Sequence, residues 1–137
     1  MKTLPLRLTP GQDLRRAIEA AVAAQGCHAA FVACGIGSLS EAKLRFAGEA
    51  QARRIVAALE VLTLAGSGGG GGSHLHATLA DAQGQVAGGH VGYGCTVRTT
   101  AEVLLLLLDD WAFAREPDAA TGYLELVVRP AAPPPAR

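Results

Sequence analysis

Aromatic side chains are scarce: one Trp, two Tyr and three Phe make up 4% of the 137 residues. That argues against a surface built to stack nucleic-acid bases. Net charge is missing too, because 12 Lys and Arg are matched by 12 Asp and Glu. Affinity for nucleic acid comes largely from neutralising phosphates, so the balance argues against a free-standing nucleic-acid binder. It argues equally against electrostatic attachment to a membrane. Cysteine is limited to Cys27, Cys34 and Cys95, an odd number with no CxxC pair. This usage suits a reduced compartment, and a cytoplasmic location is expected. Apolar runs reach only six residues, as in Val103–Leu108, against about 20 needed to span a bilayer. Met1-Lys2 leads into an alternating segment, so no secretory signal is expected. A nucleophile elbow, a dinucleotide fingerprint and paired catalytic carboxylates are all lacking, and no Gly-Lys-Ser/Thr follows the glycine run to make a P-loop.

What remains is a chain with 50% hydrophobic and 18% charged residues, which is globular by composition. Its length fits one domain, here assigned to residues 1–129, with a disordered Pro/Ala tail over 130–137. Leu4, Leu6 and Leu8 alternate in a first strand, and Pro5 marks it as an edge. Thr9-Pro10-Gly11-Gln12 has the form of a capping box. A helix should follow to about Gln25, with Leu14, Ile18 and Val22 on its apolar stripe. Strands are expected at 27–34, 39–46, 55–64, 95–98, 103–108 and 123–128, with Gly35-Ile36-Gly37-Ser38 as a break. Gly66 to Ser73 reads as a flexible loop. Residues 74–80 and 85–91 read as a hairpin turning at Asp81-Ala82-Gln83-Gly84. These elements make an α+β domain on a mostly antiparallel sheet of about seven strands.

Three of the four histidines, His74, His76 and His90, fall within 17 positions. His74 and His76 are two apart on one strand and so share a face. A three-residue loop Ala82-Gln83-Gly84 would place His76 opposite His90 and gather all three imidazoles. A two- or four-residue loop would send His90 to the other face unless a bulge at Gly88-Gly89 restored it. Three neutral imidazoles with an open position suit zinc or another divalent transition metal. The competing reading is three polar side chains on a half-exposed sheet or subunit interface.

Glu60, on a strand face with Leu62 and Leu64, is the candidate general base, with a solvent-facing or Arg-paired carboxylate as the alternative. Glu102 reads as a polar strand start. The cysteines read as structural thiols, and His28 as a surface or interface residue.

Several segments together resemble the plants-and-prokaryotes conserved (PPC) domain. They are Leu8-Thr9-Pro10-Gly11, Gly35-Ile36-Gly37-Ser38-Leu39, Leu59-Glu60-Val61-Leu62-Thr63-Leu64-Ala65-Gly66 and His74-Leu75-His76. Gly88-Gly89-His90-Val91, Thr99-Thr100-Ala101-Glu102-Val103 and Thr121-Gly122-Tyr123-Leu124-Glu125-Leu126 complete the series. They keep the family's order over roughly residues 4 to 129. The resemblance implies a central antiparallel sheet flanked by helices, a homotrimer, and proximity of the HLH and GGH histidines as a metal site. It implies a regulatory or DNA-associated role by analogy with plant members and their protein partners. The plant Arg-Gly-Arg-Pro hook is absent, and Ala58-Leu59-Glu60 stands where the family has Arg-Phe-Glu. Direct DNA binding is therefore not expected. The alternative to an assembly module is a metal-dependent hydrolase or lyase acting on a small molecule through the three histidines, with Glu60 as base.

Overall fold

A computed structural model describes residues 1–132 of the chain. Its elements are β1 (Lys2–Leu8), α1 (Leu14–Ala24), β2 (Ala29–Arg45), β3 (Arg53–Gly69), β4 (Gly72–Ala80), β5 (Val86–Val91), β6 (Thr96–Leu107), β7 (Trp111–Pro117) and β8 (Leu124–Pro130). Six strands form one antiparallel sheet in the order β1-β6-β2-β3-β4-β5, and β7 and β8 form a separate two-stranded ribbon. The protein is thus more sheet-dominated than expected: one helix covers the sheet among the described residues, where flanking helices were anticipated.

The sheet curls back on itself. β2 pairs with β6 along most of its length and then, at its end, with β5 through Leu44↔Val91 and Arg45↔His90. An irregularity between Leu39 and Glu41 interrupts the pairing with both β3 and β6. Such bulges bend a strand and raise its twist, which lets one strand serve two neighbours in succession. β2 also runs straight through Gly35-Ile36-Gly37-Ser38, so the expected break is a continuous strand.

The core lies inside this curl. Leu14, Ile18 and Val22 of α1 are all buried in one cluster that also holds Leu44, Leu75, Leu79, Val91, Leu105 and Leu107. Each fully buried aliphatic side chain contributes about 1.5–3 kcal/mol. The Thr9–Gln12 segment is a turn closed by Gln12 Oε1, which accepts from Thr9 N at 2.8 Å. The helix cap is Asp13, whose Oδ1 accepts from Arg16 N at 2.9 Å. Its other oxygen accepts from Gly94 N, tying the helix start to the β5–β6 connection.

Pro5 lies on the edge strand β1, as expected, and Val103–Leu107 forms the buried stretch of β6. The glycine run is not a loose loop. Gly69 pairs with Gly72, so only Gly70 and Gly71 turn the chain between β3 and β4. Glycine is required at Gly66, where φ is +149° and a Cβ would overlap the His74 carbonyl oxygen. The expected disordered tail begins differently: Pro130 pairs with Trp111, and Ala131 N donates to Asp110 O at 2.9 Å. The rest of that tail, residues 133–137, lies outside the described residues.

Candidate metal centre

His74 and His76 stand on the outer face of β4, because the intervening Leu75 and the flanking Ser73 and Ala77 are buried on the inner face. The β4–β5 register runs Ala80↔Val86 through His76↔His90 without a bulge. The three-residue turn is therefore the one adopted, and all three rings meet. Asp81 N donates to Gln85 O at 3.0 Å, and Gly84 takes φ +74°.

The ring centroids are 4.9 Å apart for His74–His76, 5.0 Å for His74–His90 and 5.8 Å for His76–His90. One nitrogen from each ring lies within 4.8 Å of the others. His74 Nε2 and His76 Nε2 approach to 3.0 Å. Metal–imidazole bonds are about 2.0–2.1 Å long, so slight side-chain rotation lets one ion reach all three. The donor chemistry fits such an ion. His90 Nδ1 is buried without a hydrogen-bond partner, a costly state for a polar atom. Burial, then the positive neighbours His74, Arg45, Arg15 and His76, push His90 down to about 4. Burial first, then His76, Arg115 and Arg45, lowers His74 as well, with Glu125 opposing. Neutral imidazoles keep the lone pairs that ligation needs. The cluster contains no thiolate or carboxylate.

Glu60 is not brought to the histidines. It is exposed, opposite Ala80 and Ser38, whereas His76 faces Ala65. Ala80 is four residues along β4 from His76, or about 13 Å at strand rise, so a general base at the cluster must come from elsewhere. Glu102 is an exposed residue in the middle of β6, facing Arg7 on β1 and Ile36 on β2. Cys95 is buried, its Sγ accepts from Lys43 N at 3.3 Å, and burial pushes the thiol up. Cys27 is buried, Cys34 is exposed, and all three thiols are free. His28 is exposed, and its carbonyl accepts from Phe113 N at 2.9 Å.

The ribbon closes one side of the site. Phe113 stacks edge-on against Phe31 at 5.5 Å, and Arg115 Nη2 donates to Ser67 Oγ at 2.9 Å. Between ribbon and sheet lies a cleft of about 630 Å3 whose lining includes His74, His90, Arg15, Arg45, Arg115 and Glu125. Sequence reasoning passed over these arginines. Arg45 joins the site only through the β2–β5 closure, and Arg115 through a strand not expected at 111–117. An i,i+4 pairing of Arg15 with Glu19 was the one local signal.

A curled antiparallel sheet, one inner helix and an outer cluster of three imidazoles define a small β-rich domain with a transition-metal donor set. The profile of the Plants and Prokaryotes Conserved (PCC) domain matches residues 1–109, and the chain belongs to that family. It is 47% identical over 132 residues to the bifunctional protein GlmU of Synechococcus sp. (strain JA-2-3B'a(2-13)), covering 96% of this chain and 21% of that protein. The chain thus spans about a fifth of that relative's length. A hypothetical protein from Salmonella enterica has the same fold at TM-score 0.91, with 37% identity and 94% of each chain covered. A metal-containing protein from Archaeoglobus fulgidus superposes at TM-score 0.81 and 29% identity, covering 93% of this chain and 94% of its own. No helix is long and apolar enough to cross a membrane among the described residues.

Proposed function

We propose that this chain is a metal-binding module of a homotrimer, in which His74, His76 and His90 hold one divalent transition ion. The donor set suits zinc best. One observation carries the reading: three imidazole nitrogens within 4.8 Å of one another, in a group where His90 Nδ1 is buried without a partner. The similarity to an archaeal protein described as metal-containing supports it. The match to part of a much longer GlmU chain supports a module that joins other domains. The trimer rests on family membership, and exposed apolar side chains such as Ile36 and Val56 suit buried contacts between copies. With zero formal net charge, the module acts in the cytoplasm through protein partners or a small ligand rather than by gripping DNA.

A second reading, a metal-dependent hydrolase or lyase, is favoured by the cleft of about 630 Å3 beside His74 and His90, a size typical of small-molecule sites. An ion there would supply Lewis acidity.

Elemental mass spectrometry tests the first reading, on full-length protein purified without chelators and on His74→Ala/His90→Ala. About one metal per chain in the native protein and none in the variant is expected. No metal in either after zinc incubation overturns the reading. Sedimentation equilibrium should give three chains per particle, and a monomer overturns the trimer.

A further inference from the structure

Three arginines converge on the cleft beside the histidines: Arg15 from α1, Arg45 from β2 and Arg115 from β7. Each is held by a residue next to, or across from, a histidine. Arg15 donates from Nη2 to Ser73 O at 2.7 Å and from Nη1 to Val91 O at 3.2 Å. Those carbonyls belong to the neighbours of His74 and His90. Arg45 is the direct cross-strand partner of His90. Arg115 bonds Ser67, which is the cross-strand partner of His74.

The three differ in how much of their hydrogen-bonding capacity is already used. Arg15 is committed: its Nε donates to Glu19 Oε1 at 3.0 Å and to Ser73 Oγ at 3.2 Å, so its charge is paired. Arg45 and Arg115 are half-buried, and neither forms an ion pair among the described residues. Arg45 makes one long contact, 3.5 Å to Glu49 O, and Arg115 makes the single bond to Ser67. A guanidinium has five donors in a planar fork, so most of theirs are unspent. Glu125 lines the same cleft and offsets one positive charge. A positive excess remains, and charge-assisted hydrogen bonds from guanidiniums to an oxyanion are the strong kind.

We propose that Arg45 and Arg115 form an anion-recognising subsite, so that the ligand of this module is a small molecule seating a carboxylate or phosphate group on the two guanidiniums beside the histidine cluster. Paired guanidiniums match the geometry of both oxyanions. The cleft has the volume of a small-molecule site. The inference deepens the metal-site reading and rests on it for what meets the other end of the ligand. Arg115 and Glu125 lie beyond residues 1–109 matched by the family profile, so the ribbon supplies one of the two guanidiniums from outside that segment, and Arg45 supplies the other from within it.

Isothermal titration calorimetry tests it, with inorganic phosphate and, separately, malonate titrated into metal-loaded and chelator-treated full-length protein at fixed chloride. Saturable binding of at least one probe is expected, and the tighter probe names the acid group. Arg45→Gln/Arg115→Gln should weaken it at least tenfold, while the melting curve and metal content stay as in the parent. Arg45→Lys/Arg115→Lys keeps the charge but loses the fork and should weaken it at least threefold, which decides the matter if the Gln pair fails to fold. Arg129→Gln, at an exposed residue paired with Glu116, should change nothing. Equal affinity in the parent and the Arg45/Arg115 variants, or no saturable binding by either probe, overturns the proposal. Arginine-dependent binding in a protein that holds no metal would overturn the metal reading and leave this one standing. Metal-loaded protein that binds phosphate without the arginines would do the reverse.

Discussion

His76 and His90 are direct cross-strand partners in the β4–β5 hairpin, with ring centroids 5.8 Å apart. Their meeting depends on the turn between them. Asp81 Oδ1 accepts from Gln83 N and Gln85 N, both at 2.9 Å, and Gly84 sits at φ +74°. Inserting one residue after Gln83 should shift the pairing by one and send His90 to the opposite face. Metal content should fall to background while far-UV circular dichroism keeps its sheet signature. Gly84→Ala should cost about 1–2 kcal/mol for its left-handed backbone, read from urea denaturation, with metal retained. An insertion variant that keeps its metal would sink the register argument.

Zinc should stabilise the folded chain by mass action, because the three ligands are gathered only in the fold. At a hundredfold excess over Kd the gain is about 2.7 kcal/mol. Differential scanning calorimetry should show a clear rise in Tm over the chelated protein, and no rise for His76→Ala. An equal rise in His76→Ala would place the zinc elsewhere.

What the sequence made legible was local. The alternation of Leu4, Leu6 and Leu8, the Leu14/Ile18/Val22 stripe and the spacing from His76 to His90 each lie within one element or one hairpin. Period and turn chemistry act over that range. The unread features were of two kinds. Gly66 to Gly69 have poor strand propensity and read as loop. They are strand residues because β4 pairs with all four, and at two of them neighbouring backbone passes too close for a side chain: a Cβ on Gly66 would meet the His74 carbonyl and one on Gly69 the His28 carbonyl. The other kind was long-range. Arg45 meets His90 only because β5 closes onto the end of β2, a pairing between residues 45 positions apart. Glu60 was misplaced for a related reason. Through its pairing with Ala80 it shares the face of the histidines, but it lies four strand positions away from His76, and face alternation does not report distance along a strand.

Acid should destabilise the metal-free protein in a definite window. His90 is held down to about 4, chiefly by burial and then by its positive neighbours. An unfolded histidine titrates near 6.5. Between those values the unfolded chain binds a proton that folded His90 refuses, so stability falls as pH falls from about 6.5 to about 4. His74 shifts in the same direction. Partial solvent screening keeps the His90 slope below the 1.4 kcal/mol per pH unit that one proton allows. Urea melts from pH 4 to 8 should show this fall, and His90→Gln should flatten it. A parent protein equally stable across the window would contradict the site's electrostatics.

Glu19 links the helix to the strand that carries His74 and His76. Its Oε1 accepts from Arg15 Nε at 3.0 Å, Ser73 N at 3.1 Å and Ser73 Oγ at 2.5 Å. Tyr93 OH donates to both carboxylate oxygens, at 3.1 and 3.0 Å. Burial pushes Glu19 up, but the bonds from Ser73, Arg15 and Tyr93 outweigh it and hold the carboxyl below its ordinary range. Its stabilisation is therefore present at neutral pH and lost as pH falls through the folded value. Glu19→Gln keeps the shape but removes the charge and forces an amide against some of these donors. It should cost about 1–2 kcal/mol at pH 7, since bonds to charged groups are the stronger ones, and the difference from the parent should shrink toward pH 4. Tyr93→Phe should cost less, because Arg15 and Arg16 still lie over the ring at 4.2 and 4.5 Å. Guanidinium melts of the three proteins at pH 7 and pH 4 decide it. A Glu19→Gln protein as stable as the parent at pH 7 would show that the carboxylate merely decorates the junction between α1 and β4.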